Sequence, residues 1–116
     1  MKIKSKKKID RKKLSFSIIT PVLNDKRVLN VIESLKKQTY KNFEHIIVDG
    51  GSKPSVIKII KKNDKYINIW ISQKDRGIYD AINKGIKMST GNIIGILNAD
   101  DVYFPKTLEI AKKYFE

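Results

Sequence analysis

The sequence contains no cysteine and a single histidine, His45. Disulfide bonds and thiolate metal sites are therefore excluded, and one imidazole cannot form a histidine metal cluster. Any metal bound by this chain would be a hard cation held by oxygen ligands. His45 lies among apolar neighbours, so we predict that it is a packed or edge-strand residue and not a catalyst.

Long apolar segments are also missing. No run approaches the roughly 20 residues that a membrane-spanning helix needs. The amino terminus is charged and lacks the apolar stretch of a signal peptide, so we expect a cytoplasmic protein. Of the 116 residues, 41% are hydrophobic, which is enough for one domain with a buried core.

Acidic residues are few, and the basic excess is unevenly spread. The net charge is +13, and residues 1–13 hold eight Lys or Arg against one Asp, a net +7. We expect residues 1–14 to form a basic, disordered arm and residues 15–116 to form the folded domain. Such an arm is either a solvated leader or a contact for anionic lipid headgroups or nucleic acid.

Short apolar segments alternate with helical patterns along the rest of the chain. Strands are predicted at Phe16–Thr20, Glu44–Asp49, Ile67–Ser72 and Ile93–Leu97. Helices are predicted to begin near Asp25, Pro54, Ile78 and Pro105. The last strand is mostly apolar, which predicts burial on both of its faces.

Four strand–helix units in a row predict a parallel α/β sheet with right-handed crossovers. In such sheets, ligands bind outside the carboxyl ends of the strands. The polar segments that follow the four strands should therefore converge on one site. These segments are Thr20–Asp25, Asp49–Ser52, Lys74–Gly77 and Asn98–Asp101.

The adjacent carboxylates of Asp100 and Asp101 follow the last strand directly. They repel each other unless a cation or solvent relieves them, and a hard divalent ion would also neutralise the phosphates of a nucleotide. The alternative is a solvated Asp-Asp turn that caps the final helix.

Other polar residues at these strand ends have two interpretations each. Asp49 either accepts hydrogen bonds from a base or ribose, or holds the following Gly-Gly-Ser turn. Arg76 suits a pyrophosphate, or pairs with the neighbouring Asp75. Asp80 and Asn83 lie three residues apart on one helix face, where they either line a site or belong to the ordinary surface.

Aromatic residues are predicted to be mainly structural. Trp70 is expected in the core. Tyr79 would either stack on a base or sugar or pack in the core, and the core position is the one predicted.

Five segments resemble the family 2 glycosyltransferases of the GT-A fold, in order and in spacing. They cover roughly residues 15–116, and the fourth is similar to the colanic-acid-biosynthesis branch of that family. The segments are Thr20–Asn24, Gln38–Glu44, Val48–Ser52, Asp75–Gly85 and Leu97–Asp101. The resemblance implies a Rossmann-like nucleotide-diphospho-sugar transferase fold, with a parallel sheet and flanking helices.

The resemblance also implies a function, namely inverting transfer of a sugar from a nucleotide-diphosphate sugar to a glycan or lipid-linked acceptor in polysaccharide biosynthesis. The donor-binding residues would be Thr20, Pro21, Asn24, Asp49, Arg76, Asp80, Asn83 and Asp100. Asp101, with Asp100, would bind Mg²⁺ or Mn²⁺, which stabilises charge on the departing diphosphate.

The sequence departs from the family pattern at three positions. Leu23 stands where an aromatic residue is usual, Gly50 where a second Asp is frequent, and Asn98 where an acid is frequent. Since the second Asp commonly contacts the base, the identity of the nucleotide stays open.

The chain also stops one helix after the acidic motif. In the family, the acceptor half and the carboxylate general base follow that motif, so we expect an incomplete, donor-binding portion whose catalytic base is not in this chain. The alternatives are an inactive donor-binding module and, on charge alone, a nucleic-acid-binding domain. Nucleic acid is not the expected partner, whereas the basic arm suits peripheral contact with the inner face of the plasma membrane.

Overall fold

A computed structural model describes residues 2–3 and 9–116 of the chain. The elements are β1 (Lys2–Ile3), β2 (Phe16–Val22), α1 (Val28–Lys36), β3 (Phe43–Asp49), α2 (Pro54–Lys62), a 3₁₀ turn (Asp64–Tyr66), β4 (Ile69–Ser72), α3 (Ile78–Met88), β5 (Ile93–Ile96) and α4 (Thr107–Phe115). The predicted alternation of four strands and four helices is confirmed.

The five strands form one sheet in the order β1-β4-β3-β2-β5. Strands β2 to β5 are parallel, and β1 pairs with β4 in the antiparallel direction. The predicted parallel α/β fold is therefore confirmed. We call the side where the parallel strands end the carboxyl edge and the opposite side the amino edge.

The two central strands are buried along their whole length. Helices α1 and α2 cover one face of the sheet, where Ile32 and Ile60 pack with Ile47. On the opposite face, Ala81 of α3 packs against Ile19 in a second cluster. Each such isoleucine contributes roughly 1.5–3 kcal/mol through burial, so these layers fix the positions of the strand ends.

A glycine sets how closely α3 approaches the sheet. A Cβ atom at Gly85 would lie 2.5 Å from Cγ2 of Ile19, far inside van der Waals contact. The missing side chain lets the helix rest directly on β2, which in turn places the start of α3 beside the carboxyl edge.

The prediction that the last strand is buried on both faces is wrong. β5 pairs with β2 on one side and is the final strand of the sheet among the described residues. Its side chains alternate between half-buried and exposed, and Ile94 and Ile96 are 40% and 39% exposed. Continuous apolar sequence is typical of a covered strand, but it does not reveal how many neighbours the strand has.

The basic arm has ordered contacts at both of its described parts. Residues 2–3 pair with β4 as β1, and the backbone of Asp10 exchanges hydrogen bonds of 2.8 and 2.9 Å with the side chain of Asn42. Residues 1 and 4–8, where the arm was expected to be disordered, lie outside the described residues. The boundary between residues 14 and 15 stays a prediction.

None of the helices within residues 9–116 combines the length and the apolar character that crossing a bilayer requires.

Candidate functional site

The loops after β2 and β3 are joined at the carboxyl edge by hydrogen bonds. The Asn24 N–H donates to Oγ of Ser52 at 2.7 Å, and the Lys53 N–H donates to Oδ1 of Asn24 at 2.8 Å. A third bond runs from the Gly50 N–H to the Val22 carbonyl at 2.8 Å. Asn24 has a φ of 51°, a left-handed conformation that asparagine tolerates better than most residues. Asn24 therefore acts here as a link between two loops.

The Asp49 carboxylate is fully buried and accepts several hydrogen bonds. Oδ2 accepts from the backbone N–H groups of Gly51 and Ser52 at 3.0 and 2.8 Å and from the Ser72 hydroxyl at 2.8 Å. Oδ1 accepts from the Ser52 hydroxyl. These donors offset the cost of burying the charge. Asp49 therefore holds the following turn, which is one of its two predicted roles. A contact of Asp49 with base or ribose stays a prediction.

Gly50 makes room for the carboxylate of Asp75. A Cβ atom on residue 50 would lie 2.7 Å from Oδ2 of Asp75. Oδ1 of the same carboxylate accepts the Gly77 N–H at 3.0 Å. The loop after β4 thus places an acid in the space that a side chain on the loop after β3 would occupy.

A pocket of about 180 Å³ lies between the end of β2 and the start of α3. Its lining is apolar apart from one carboxylate. The lining residues are Pro21, Val22, Leu23, Asp75, Gly77, Ile78 and Ala81. Tyr79 beside it is 80% exposed, so the predicted core position of this ring is wrong. The pocket offers apolar walls to a flat ring and one hydrogen-bond acceptor to its edge.

Thr20 does not line this pocket. Its side chain is buried, and its hydroxyl lies 2.8 Å from Nε2 of His45. His45 is 1% exposed and its Nδ1 has no hydrogen-bond partner. Burial lowers the pKa of this imidazole to about 3. The prediction that His45 is a packed residue is confirmed.

The start of α3 faces the same edge with Arg76 exposed. Gly77 precedes the helix with a φ of 115°, which glycine alone adopts easily. The Asp80 carboxylate accepts the Arg76 N–H at 2.9 Å and lies 3.4 Å from the Lys84 ammonium. The bond from the Arg76 backbone, with Lys84 nearby, lowers the pKa of Asp80. Asp80 therefore closes the loop, and Asn83 is exposed one turn further along.

Asp100 and Asp101 are both exposed immediately after β5 and Ala99. The Asp101 N–H donates to the Asn98 carbonyl at 3.0 Å, and its Oδ1 accepts the Val102 N–H at 2.9 Å. No group of three or more His, Cys, Asp or Glu able to hold a metal occurs in the described part of the chain. Two exposed carboxylates fit Mg²⁺ or Mn²⁺ when a diphosphate and water supply the other ligands, which is the usual mode for Mg²⁺.

Arg27 pairs with an acid in the loop after β2 and interacts at longer range with the acidic motif. Its guanidinium pairs with both carboxylate oxygens of Asp25 at 3.0 and 2.9 Å. That hydrogen-bonded pair raises the pKa of Arg27, and the charge of Asp100 adds to the effect. Asp100 is therefore within electrostatic reach of the start of α1.

The structure thus brings the four predicted segments to one edge. Direct contacts join the loops after β2, β3 and β4, and the pairing of β5 with β2 brings the acidic motif to the same side. Sequence reasoning missed Asp75 as a pocket residue, and Ser72 and Arg27 as partners of the site. The signals were the glycine at position 50, opposite Asp75, and the Asp-x-Arg spacing before α1.

Comparison with known proteins gives one family. The profile of Glycosyl transferase family 2 matches residues 17–116. An uncharacterised glycosyltransferase of Rickettsia bellii is 39% identical over 103 residues, which is 86% of this chain and 15% of that protein. A PGL/p-HBAD biosynthesis glycosyltransferase of Mycobacterium tuberculosis is 39% identical over 90 residues, which is 74% of this chain and 35% of that protein. The chain therefore spans about a third or less of the length of these relatives.

Solved structures share the fold. Residues 1–349 of Staphylococcus aureus TarS match with a TM-score of 0.78 at 25% identity, covering 88% of this chain and 32% of that one. The same protein is known in complex with UDP-GlcNAc. The mannosyltransferase PcManGT of Pyrobaculum calidifontis, in complex with GDP-Man and Mn²⁺, matches with a TM-score of 0.73 at 18% identity, covering 96% of this chain and 33% of that one.

Proposed function

The chain belongs to glycosyl transferase family 2, and we propose that it binds a nucleotide-diphosphate sugar at the carboxyl edge. The whole protein would transfer the sugar with inversion to a glycan or lipid-linked acceptor in polysaccharide biosynthesis. One observation carries the proposal. The loops after β2, β3 and β4 contact one another, the end of β2 and the loop after β4 line an apolar pocket with a single carboxylate, and an exposed acid pair follows β5 at the same edge.

The pocket suits the nucleobase. Pro21 and Leu23 offer apolar walls, and Asp75 would accept a hydrogen bond from an N–H on the edge of the ring. Asn24 would act by bonding the loop after β2 to the loop after β3, and Asp49 by holding the loop after β3. Thr20, which is buried against His45, supports β2 from within the sheet.

The start of α3 suits the diphosphate. Arg76 supplies a guanidinium, and the amino terminus of a helix favours a negative charge. Asp80 positions Arg76 by accepting its backbone N–H, and Asn83 would reach the ligand from the next turn. Binding of phosphate near this helix would be screened by salt, as charge-assisted contacts at a surface are.

Asp101 and Asp100 would hold the metal ion. When bound, Mg²⁺ or Mn²⁺ supplies electrostatic stabilisation of the leaving diphosphate. PcManGT, with Mn²⁺ in its complex, supports this choice of metal. Both carboxylates are exposed in the loop after β5, so they are open to a metal ion from solvent.

The transfer step needs a base that takes the proton of the acceptor hydroxyl. After Asp101, the acids of this chain are Glu109 in α4 and Glu116 just beyond it, and neither lies in the loops of the carboxyl edge. A second candidate follows from this observation, namely donor binding without transfer by these 116 residues. Release of the sugar to an acceptor or to water, followed with a labelled donor, distinguishes the two.

Calorimetric titration tests donor binding. We expect one of a panel of UDP-, GDP- and dTDP-sugars to bind more tightly with Mn²⁺ than without it. Asp101→Asn should remove the metal-dependent part of the affinity, whereas Glu109→Gln removes one carboxylate from α4 and should leave it intact. Equal affinities for wild type and Asp101→Asn, with and without Mn²⁺, would count against the assignment of the metal site.

We also propose that the basic arm contacts the inner face of the plasma membrane from the cytoplasm. Its support is the net +7 of residues 1–13, because each basic residue near an anionic surface contributes about 1 kcal/mol. Replacing Lys4, Lys6, Lys7 and Lys8 with Gln should weaken sedimentation with vesicles that contain phosphatidylglycerol. Unchanged sedimentation would refute the contact.

A further inference from the structure

A second pocket, of about 320 Å³, opens at the amino edge of the sheet. It lies where α1 ends, where β3 begins and where the 3₁₀ turn leads into β4. We call it the basic pocket, and its lining residues are Ile32, Leu35, Lys36, Lys41, Phe43, Lys65, Tyr66 and Asn68. Strand β3 has seven residues, so about 20 Å separates this edge from the carboxyl edge.

Three lysines surround the opening of the basic pocket. The Lys36 and Lys65 ammonium groups lie 3.6 and 5.0 Å from the centre of the Tyr66 ring. The Lys41 ammonium donates to the Lys36 carbonyl at 2.8 Å. An ammonium group has three N–H donors, so each of the three can also donate to a ligand. The tyrosine ring, held beside two cations, fixes one wall.

Two acids of this region offset part of the charge. Glu33 lies 2.8 Å from the Lys36 ammonium, and its side chain is 47% exposed. Asp64 precedes Lys65 in the 3₁₀ turn, so three ammonium groups stand against two carboxylates and the opening keeps a positive excess suited to an anion. A surface pair of this kind is weak, so an entering anion can replace Glu33 at little cost.

The floor of the basic pocket is apolar. Ile32, Leu35 and Phe43 are 1%, 3% and 7% exposed, so they offer little surface, and the accessible apolar wall is the Tyr66 ring, whose residue is 44% exposed. A bare inorganic anion would leave this ring uncovered, whereas an apolar group attached to the anion would cover it and add about 25 cal/mol for each Å² buried.

We propose that the basic pocket binds a phosphate ester whose organic part is apolar. The phosphate would accept hydrogen bonds from Lys36, Lys41 and Lys65, and the organic part would lie on the Tyr66 ring. Because the pocket is on the edge opposite the donor site, this ligand is not the diphosphate of the sugar donor. The basic pocket therefore does not depend on the proposed function, and failure of one proposal would leave the other intact.

The protein carries its own reporter of occupancy. Trp70 is the single tryptophan, and its Nε1–H donates to Oδ1 of Asp64 at 3.0 Å. Asp64 begins the 3₁₀ turn that carries Lys65 and Tyr66. A ligand that rearranges this turn should therefore change the emission of Trp70.

The experiment compares two soluble probes with the full chain. Glycerol 3-phosphate supplies the phosphate ester alone, and monomeric dihexanoyl phosphatidic acid adds apolar chains. Trp70 emission or calorimetry gives the affinities for wild type, for a pocket variant with Lys36→Gln and Lys65→Gln, and for a control with Lys58→Gln and Lys87→Gln. The control lysines are exposed and lie outside the pocket lining, so both variants lose the same charge.

We expect the pocket variant to bind about 30-fold more weakly, from roughly 1 kcal/mol for each lysine, and the control to stay within about threefold of wild type. Tighter binding of the dihexanoyl compound supports the apolar organic part, whereas equal binding of both probes overturns it and leaves a site for the phosphate group alone. The inference is overturned if neither probe binds, or if the control loses as much affinity as the pocket variant. All of the substitutions are at the surface, and thermal unfolding verifies that each variant is folded.

Discussion

Replacing His45 should remove a large part of the acid sensitivity of the fold. The ring projects from β3 into the interior and is 1% exposed, with Nε2 beside the Thr20 hydroxyl and Nδ1 unpartnered. In this position the imidazole stays neutral, because protonation would place a charge in the core without a partner. His45→Gln keeps an amide that can bond to Thr20 and does not titrate.

The size of the effect follows from the two pKa values of the ring. It is about 3 in the folded protein and about 6.5 in an unfolded chain. The folded-state value is depressed, so the contribution to stability is complete above pH 6.5 and is lost as the pH falls toward 3. Between pH 7 and pH 5, the unfolded state takes up the proton and the folded state does not. The free energy of unfolding should therefore fall by about 2 kcal/mol in that interval.

Urea unfolding at pH 7 and pH 5, followed by Trp70 emission, measures this change. His45 is the single histidine of the chain, and Asp and Glu side chains ordinarily titrate near pH 4, so the interval isolates one group. Thr20→Val is the matched control, because it removes the partner hydroxyl and leaves the titrating ring in place. It should lower the free energy of unfolding at both pH values and keep the difference between them.

The reasoning would be refuted by wild type and His45→Gln losing the same free energy of unfolding between pH 7 and pH 5. It would also be refuted by a folded-state NMR titration in which the ring protons of His45 shift with a midpoint near pH 6.5. Either result would mean that the imidazole accepts a proton without unfolding the chain.

Three further substitutions test the packing of α3, the turn after β3 and the role of the pocket carboxylate. Gly85→Ala should lower the free energy of unfolding by about 1–3 kcal/mol, because its Cβ would meet Ile19 at 2.5 Å. Lys87→Ala on the same helix should change the free energy of unfolding little. Equal effects of the two substitutions in urea unfolding would contradict the close approach of α3. Asp49→Asn should lower the free energy of unfolding by about 1–3 kcal/mol, since an amide nitrogen replaces an oxygen that accepts hydrogen bonds. An unchanged free energy of unfolding in the same assay would mean that the turn does not depend on the carboxylate. Asp75→Asn should change the preference among UDP, GDP and ADP in calorimetry without removing the Mn²⁺ dependence, whereas an unchanged preference would exclude Asp75 as the acceptor for the base.

The sequence predicts the parallel sheet well because each element carries its own pattern. Pro54 starts a helix as predicted, and the apolar segments before Asp49 and before Ser72 are strands. Boundaries moved by a few residues where an element continues past a residue that usually ends it. Pro21 set the predicted end of the first strand at Thr20, yet β2 runs on to Val22.

Errors arose where burial depends on tertiary neighbours. Ile94 and Ile96 read as core residues, yet β5 has one strand beside it. Leu29 fits the helical apolar face but is 39% exposed, because α1 contacts the sheet along a narrower stripe than the spacing suggests. Tyr79 follows an apolar residue at the start of α3 and points to solvent instead.

The meeting of the four polar segments at one edge was predicted, and their contacts only partly. Strand ends in a parallel sheet share an edge, so the meeting of the loops follows from topology alone. The position of Asp75 does not, because it depends on the absence of a side chain at Gly50 in a different loop. Asp49 shows the same limit, since its bond to Ser72 joins residues that are 23 positions apart.

The bonds of Asn24 and Asp49 have a consequence for the thermodynamics of ligand capture. These two side chains fasten the loops after β2, β3 and β4 to one another in the ligand-free protein. Little conformational entropy then remains to be lost when a ligand arrives, because folding has already ordered the backbone around the pocket. Amide hydrogen exchange in segment 49–53 should accordingly be slow in the free protein and change little on binding, which is the behaviour of a preorganised receptor.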